Sequence, residues 1–244
     1  MTDLDDAVAA AKKAQAVWES CTAQSRGQIL YRLAEMMESR RVELAEALRC
    51  GGLPVDAAVT EVDASIDRVV FYAGFADKVA SLLGSHNPVP GPYFSASVSE
   101  PVGVVGVIAP SSPSLLGLVS TALPVLTGGN SVVLLASEKD PAIVLCECVA
   151  MSDMPSGVLN VLTDSAEELW ASLAKHREIV GIDAWVADAE IRKMIESAGA
   201  DGAKRVRTHV PMDSKTWFDE RRGQGLHWVE HFLETKTIWH PTGL

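Results

Sequence analysis

The spacing of apolar residues changes twice along this chain. Through the first third it is helical. Leu4–Trp18 keeps one apolar face, and Ser25–Ala47 repeats the pattern with Ile29, Leu30, Leu33, Met36, Met37 and Leu44 against Arg and Glu. Cys50-Gly51-Gly52-Leu53-Pro54 stops one helix before another begins. Val55–Leu83 then carries a stripe of Val62, Ile66, Val69, Val70, Tyr72 and Phe75. Gly84–Pro92 is rich in turn residues and is expected to be a linker. Tyr93–Ser99 alternates loosely, which predicts a strand exposed on one face.

The second change comes between Glu100 and Glu138, where no charged residue occurs. A membrane span needs about 20 apolar residues in one unbroken run. Here Pro110, Pro113, Pro124 and Gly128-Gly129 divide the stretch into Val102–Ala109, Ser114–Thr127 and Ser131–Leu135. Two short β-branched runs around a helix-length segment predict buried parallel strands joined by a crossover helix. The alternation continues with a helix at Ala142–Met151, a strand at Gly157–Thr163 and a helix at Ala166–Lys175. A strand within Glu178–Val186, a helix at Ala189–Gly199 and a strand at Lys204–Val210 follow. The fold class is therefore α/β, a Rossmann-like parallel sheet with flanking helices behind an N-terminal helical segment. After Pro211 the periodicity fades. Met212–Gly225 is charged and turn-rich, His227–Leu233 predicts a short helix, and Glu234–His240 alternates as a last strand that must join a sheet.

Composition narrows the function classes. Apolar content of 48% and charged content of 22% suit a globular domain, and the net charge of −11 disfavours nucleic acid and anionic membrane surfaces as partners. The N-terminus is acidic, then amphipathic, so no signal peptide and a cytoplasmic location are expected. Cys21, Cys50, Cys146 and Cys148 have no zinc-like spacing and are expected as free thiols.

Several runs, in order, resemble one family. Glu100-Pro-Val-Gly-Val-Val-Gly-Val-Ile-Ala-Pro110 resembles the strand that opens the cofactor domain of the aldehyde dehydrogenases. Pro124 with Gly129-Asn-Ser-Val-Val-Leu134 resembles its helix end and second strand, and Pro155-Ser-Gly-Val-Leu-Asn-Val161 its next step. Trp18, Arg26 and Leu33–Leu44 are similar to its N-terminal helices, Tyr72-Ala-Gly-Phe-Ala-Asp-Lys78 to its long helix, and Thr235-Lys-Thr-Ile-Trp239 to its C-terminal strand. The resemblance implies four regions. Residues 1–92 are helices on the cofactor-type domain, 100–211 are a degenerate NAD-binding-type domain, 93–99 with 226–244 form a small β oligomerisation arm, and 212–225 are a linker in place of the catalytic domain.

The family's functional positions are altered. The nucleophilic cysteine belongs to the missing domain, and all four cysteines here precede the gap. Ser112 stands at the oxyanion-holding Asn position, Leu135 at the ribose-gripping Lys, and His209, by a looser register, at the general base. The glycines of the phosphate loop are replaced from Val186 to Ile191, and only the ribose-contacting acid, Glu138, is kept. The implied protein is a pseudoenzyme that binds no NAD. Its expected role is a non-catalytic partner of a full-length aldehyde dehydrogenase, engaged through Thr235, Lys236, Thr237, Ile238 and Trp239, much as in the degenerate second half of double-domain members. Self-association is the second option for the arm. The alternative function is a residual NAD(P)- or small-molecule-binding domain that retains Glu138.

Two motifs suggest other chemistry. His227-Trp-Val-Glu-His231 matches a zinc-peptidase pattern without a further ligand, and a short polar helix accounts for it, so no metal is expected. Gly103-Val-Val-Gly106 lies within a strand and is not a dinucleotide fingerprint. Trp228 and Trp239 are either core residues or interface anchors, and their place near the tail favours the interface.

Overall fold

The computed structural model describes residues 2–163 and 166–242, without the side chains of residues 2 and 166–168. Met1, Asp164, Ser165, Gly243 and Leu244, which fall within the expected regions, lie outside that description. The helical third consists of α1 (Thr2–Ser20), α2 (Ala23–Ser39), α3 (Arg41–Cys50), α4 (Val55–Phe75) and, after a 3-10 turn at 76–78, α5 (Val79–Leu83). The pattern over Ser25–Ala47 is interrupted at Arg40, which leaves helical geometry at φ −111°, ψ 21°. The apolar stripe continues across this break, so periodicity alone reads through it. Gly84–Pro92 holds a two-residue strand, β1 (Ser85–His86), and β2 (Tyr93–Pro101) follows.

The uncharged stretch folds as β3 (Val104–Ile108), α6 (Ser114–Thr127) and β4 (Ser131–Leu135). After it come α7 (Lys139–Ala150), β5 (Leu159–Leu162), α8 (Ala166–Lys175), β6 (Gly181–Trp185), α9 (Ala189–Asp201) and β7 (Arg205–His209). These strands form one parallel sheet in the order β5-β4-β3-β6-β7. Val105 sits opposite both Val132 and Gly181, so β3 lies at the centre. Every residue of β3, β4 and β6 is buried. Their alternate side chains enter two cores. Val105, Val107, Val132 and Leu134 pack with α4 and α6, while Val104, Ile108, Val133, Leu135 and Ile182 pack with α1, α8 and α9. Both faces are covered, which is why these strands read as continuous apolar runs. Among the described residues no helix is long and apolar enough to cross a membrane. The uncharged run is apolar because α6 is wrapped by protein, every residue from Leu115 to Thr127 being buried.

Residues 210–232 lead from β7 to α10 (Ser214–Trp217), α11 (Leu226–Glu230) and then β8 (Leu233–Pro241), with no second α/β domain between. The stretch expected as a linker is folded onto the body. Trp217, Val229 and Phe232 are buried in the main core. Arg68 of α4 is buried as well. It donates to Ser120 Oγ of α6, to the Gly223 carbonyl, and to the Trp217 carbonyl at 2.8 Å. The Tyr72 hydroxyl accepts from Gly225 N–H at 3.3 Å, with Gly225 at φ 144°, a conformation that favours glycine. Sequence periodicity could not reveal this attachment. It depends on one buried tryptophan among charged neighbours and on backbone carbonyls that carry no side-chain signal.

Candidate functional site

In the parallel sheet the strand order reverses between β3 and β6. Open α/β sheets place ligands in the crevice beyond the carboxyl ends of such strands. The crevice here is a cleft of about 270 Å³ lined by Ser111, Ser137, Trp170, Val186, Asp188 and Ile191. Two of the positions singled out in the sequence, Val186 and Ile191, therefore meet in it. Leu135 is fully buried at the end of β4 and belongs to the apolar core. Ser112 and Glu138 line a neighbouring cleft of about 440 Å³, beneath the start of α6, with Glu61 and Ser214. Both are exposed. Glu138 thus faces a different cleft from Val186 and Ile191.

The helix starts at these clefts are occupied by the chain's own carboxylates. Asp188 caps α9, its Oδ1 accepting from Glu190 N–H at 2.7 Å and Ile191 N–H at 3.2 Å. Arg192 Nη1 donates to the Val186 and Ala187 carbonyls at 2.6 and 2.7 Å, which holds the same turn from the other side. At α6 the carboxylate comes from another helix. Glu61 Oε1 of α4 accepts from Leu115 N–H at 2.7 Å and Leu116 N–H at 3.2 Å. Burial raises the Glu61 carboxyl above its ordinary value, and these two bonds oppose the rise. Glu61 was not foreseen from the sequence. Its signal was a carboxylate at helical spacing from residues that are buried here, Ala58 and Ser65.

His209 lies in a third cavity, of about 230 Å³, between β6, β7 and α11. Its Nε2 is 3.0 Å from Asp183 Oδ1, and Trp185 Nε1 donates to Asp183 Oδ2 at 3.2 Å. The Trp185 ring lies against both His209, with centroids 4.1 Å apart, and Trp228, at 5.3 Å. Trp228 is consequently part of the interior packing, whereas Trp239 is 58% exposed on the arm. His227 and His231 line the cavity beside His209. Burial, reinforced by Arg207, holds His231 down at about 4. No three His, Cys, Asp or Glu side chains gather as a metal-binding group among the described residues. None of the four cysteines lines any of the three cavities. Cys148 is fully buried, its thiol raised to about 11, and burial raises Cys146 as well.

The arm is a separate antiparallel sheet in the order β1-β2-β8. β8 pairs with β2 along its whole length, from Tyr93 opposite Pro241 to Pro101 opposite Leu233. Among the described residues no strand pairs with the other edge of β8, and Thr235 to Trp239 are all exposed. Lys236 pairs with Glu100 at 2.8 Å, and Trp239 meets Tyr93 edge to face at 6.1 Å.

Comparison with known proteins matches residues 1–213 to the aldehyde dehydrogenase family model. Retinal dehydrogenase 2 of Gallus gallus is 36% identical over 214 residues, which cover 84% of this chain and 40% of that protein. Aldehyde dehydrogenase 1A1 of Oryctolagus cuniculus is 32% identical over 212 residues, covering 84% of this chain and 42% of that protein. Among solved structures, betaine aldehyde dehydrogenase of Staphylococcus aureus, determined with NAD+, superposes with a TM-score of 0.79 at 25% identity over 86% of this chain and 42% of that one. PnpE of Pseudomonas sp. WBC-3 gives 0.79 at 28% identity, covering 86% and 43%. The chain thus spans about two-fifths of the length of the relatives it matches. On the extent of the family match and these identities, the chain belongs to the aldehyde dehydrogenase family.

Proposed function

We propose that this chain is a non-catalytic member of its family that docks through β8 onto a full-length aldehyde dehydrogenase. The observation that carries the reading is the open edge of β8. A nine-residue strand offers unpaired N–H and C=O groups, flanked by Ile238 (44% exposed) and Trp239. Such an edge is completed by another strand. Between β7 and β8 this chain carries no further sheet that could receive an equivalent arm. A full-length relative, with more than twice the matched length, has the additional chain to supply one.

Loss of the chemistry is inferred from the site. The two N–H groups that a pyrophosphate would use at α9 already bind Asp188, and Glu190 adds a second negative charge to the first turn. The ribose-gripping position is the buried aliphatic Leu135. These residues do not fit a nicotinamide dinucleotide, so no step is assigned to one. A raised, buried thiol such as Cys148 is no nucleophile.

The test is co-expression with candidate full-length aldehyde dehydrogenases, with complex mass read by light scattering. A defined hetero-oligomer that disappears when Glu234–Leu244 is deleted supports the proposal. Monomers with every candidate would sink it, as would a complex indifferent to the deletion. Calorimetry with NAD and NADP addresses the rival reading, and micromolar binding to this chain alone would establish a residual dinucleotide site instead.

A further inference from the structure

We propose that the cavity between β6, β7 and α11 is a binding site for small carboxylates with a compact apolar body. This inference stands independently of the docking proposal, because it concerns the cavity rather than the edge of β8 and needs no partner.

The cavity carries two guanidinium groups, Arg207 from β7 and Arg222 from the segment before α11. Neither forms a salt bridge or a side-chain hydrogen bond among the described residues. Three of the neighbouring acids are already engaged, while Glu230, near His227, has no side-chain partner among the described residues. Asp183 binds His209 and Trp185, Asp213 accepts from Thr216 N–H, and Asp219 accepts from Arg221 and Arg222 N–H. The histidines do not compete for an anion either, since burial and Arg207 hold both His227 and His231 toward their neutral forms. Two arginines without a salt-bridge partner among the described residues line one cavity, an arrangement suited to a carboxylate.

The rest of the lining sets the body of the ligand. Trp185 and Trp228 stack on one another at 11°, with His209 also against Trp185, so their ring edges join Val125 and Phe232 as the apolar part of the lining. Trp228 Nε1 is buried with no hydrogen-bond partner, a donor that a bound anion would satisfy. A volume of about 230 Å³ admits a single-ring acid and excludes a dinucleotide.

The experiment is a titration of the full chain with sodium benzoate at constant ionic strength, followed by tryptophan fluorescence, because the cavity wall is itself indole. Saturable binding is expected. The dissociation constant should rise roughly tenfold in R207Q and in R222Q, the loss of one charge-assisted pairing each. R221Q, whose side chain lies outside the cavity, should match the parent. Acetate, which has the charge but no ring, and inorganic phosphate should each bind at least roughly tenfold more weakly than benzoate. Circular dichroism verifies that the variants are folded, as expected for exposed arginines without partners. Non-saturable quenching overturns the proposal. So does an affinity unchanged in R207Q and R222Q, or acetate or phosphate binding as tightly as benzoate.

Discussion

The mouth of the parallel sheet and the edge of the antiparallel arm treat backbone polar groups in opposite ways. At the mouth, the exposed N–H groups of two helix starts are filled internally, by Asp188 at α9 and by Glu61 at α6. Arg192 and Arg68 do the same for carbonyls, and Arg68 closes residues 217–223 over the side of α6. On the arm, β8 is satisfied along β2 and left open along its other edge. Backbone groups filled from within make rigid structure, and groups left open make an interface. On the function proposed above, this difference is what favours the arm as the working surface over the crevice where an open α/β sheet ordinarily binds its ligand.

The strongest challenge to the comparison is the removal of an internal partner. In Arg68→Met the carbonyls of Trp217 and Gly223 stay buried without donors, each worth about 1–3 kcal/mol. A loss of about 2–4 kcal/mol in denaturant unfolding is expected, together with faster proteolysis within residues 212–232. Unchanged stability would mean that the segment is held by Trp217 and Phe232 alone.

A smaller effect concerns acid. His231 is held at about 4 in the folded chain by burial, then by Arg207, with His209 and His227 adding to the depression and Asp183 opposing it. An unfolded histidine titrates near 6.5. Between about 6.5 and 4 the unfolded chain therefore binds more protons, so this contribution is present above that window and lost as pH falls through it. Stability measured by denaturant should decline across the window, and His231→Asn should flatten the decline. A parent whose stability is level from pH 6.5 to 4 would contradict this environment.

How far the sequence disclosed these features depended on how each is encoded. The central unit was legible because β3, α6 and β4 each have an apolar signature of matching length, bounded by proline and glycine. The arm strand was legible from its alternation, and the family from ordered motifs. The break at Arg40 was hidden because the stripe resumes in phase. The attachment of residues 212–225 was hidden because Arg68 binds carbonyls, which every residue has. Among the site residues, Val186 and Ile191 do share a cleft, but Glu138 and Ser112 share another, and His209 joins a cavity built partly by the tail. Glu61 escaped notice because a lone carboxylate on an apolar stripe has no motif. Only the meeting of α4 with the start of α6 shows what it caps.

The internal filling of α9 can be removed with a milder change. Asp188→Ala deletes an N-cap and should cost about 1 kcal/mol, whereas Asp188→Asn should keep most of it, since Asn also accepts from the first turn. Equal losses in the two variants would show that the charge of Asp188, rather than its acceptor geometry, matters to α9.

The arm should give the smallest change in stability and the clearest change in association. Ile238 is 44% exposed opposite Ala96 on the open strand and lies beside no acidic partner in that pair. Ile238→Glu is expected to alter the stability of the isolated chain by no more than about 0.5 kcal/mol, as for most surface substitutions. Because a charge on an edge strand opposes the addition of another strand, the same variant should lose the hetero-oligomer sought by co-expression. The two readings separate the regions cleanly. If Ile238→Glu destabilises the chain by as much as Arg68→Met does, β8 is part of the interior after all, and the contrast between a filled mouth and an open edge fails at its second term.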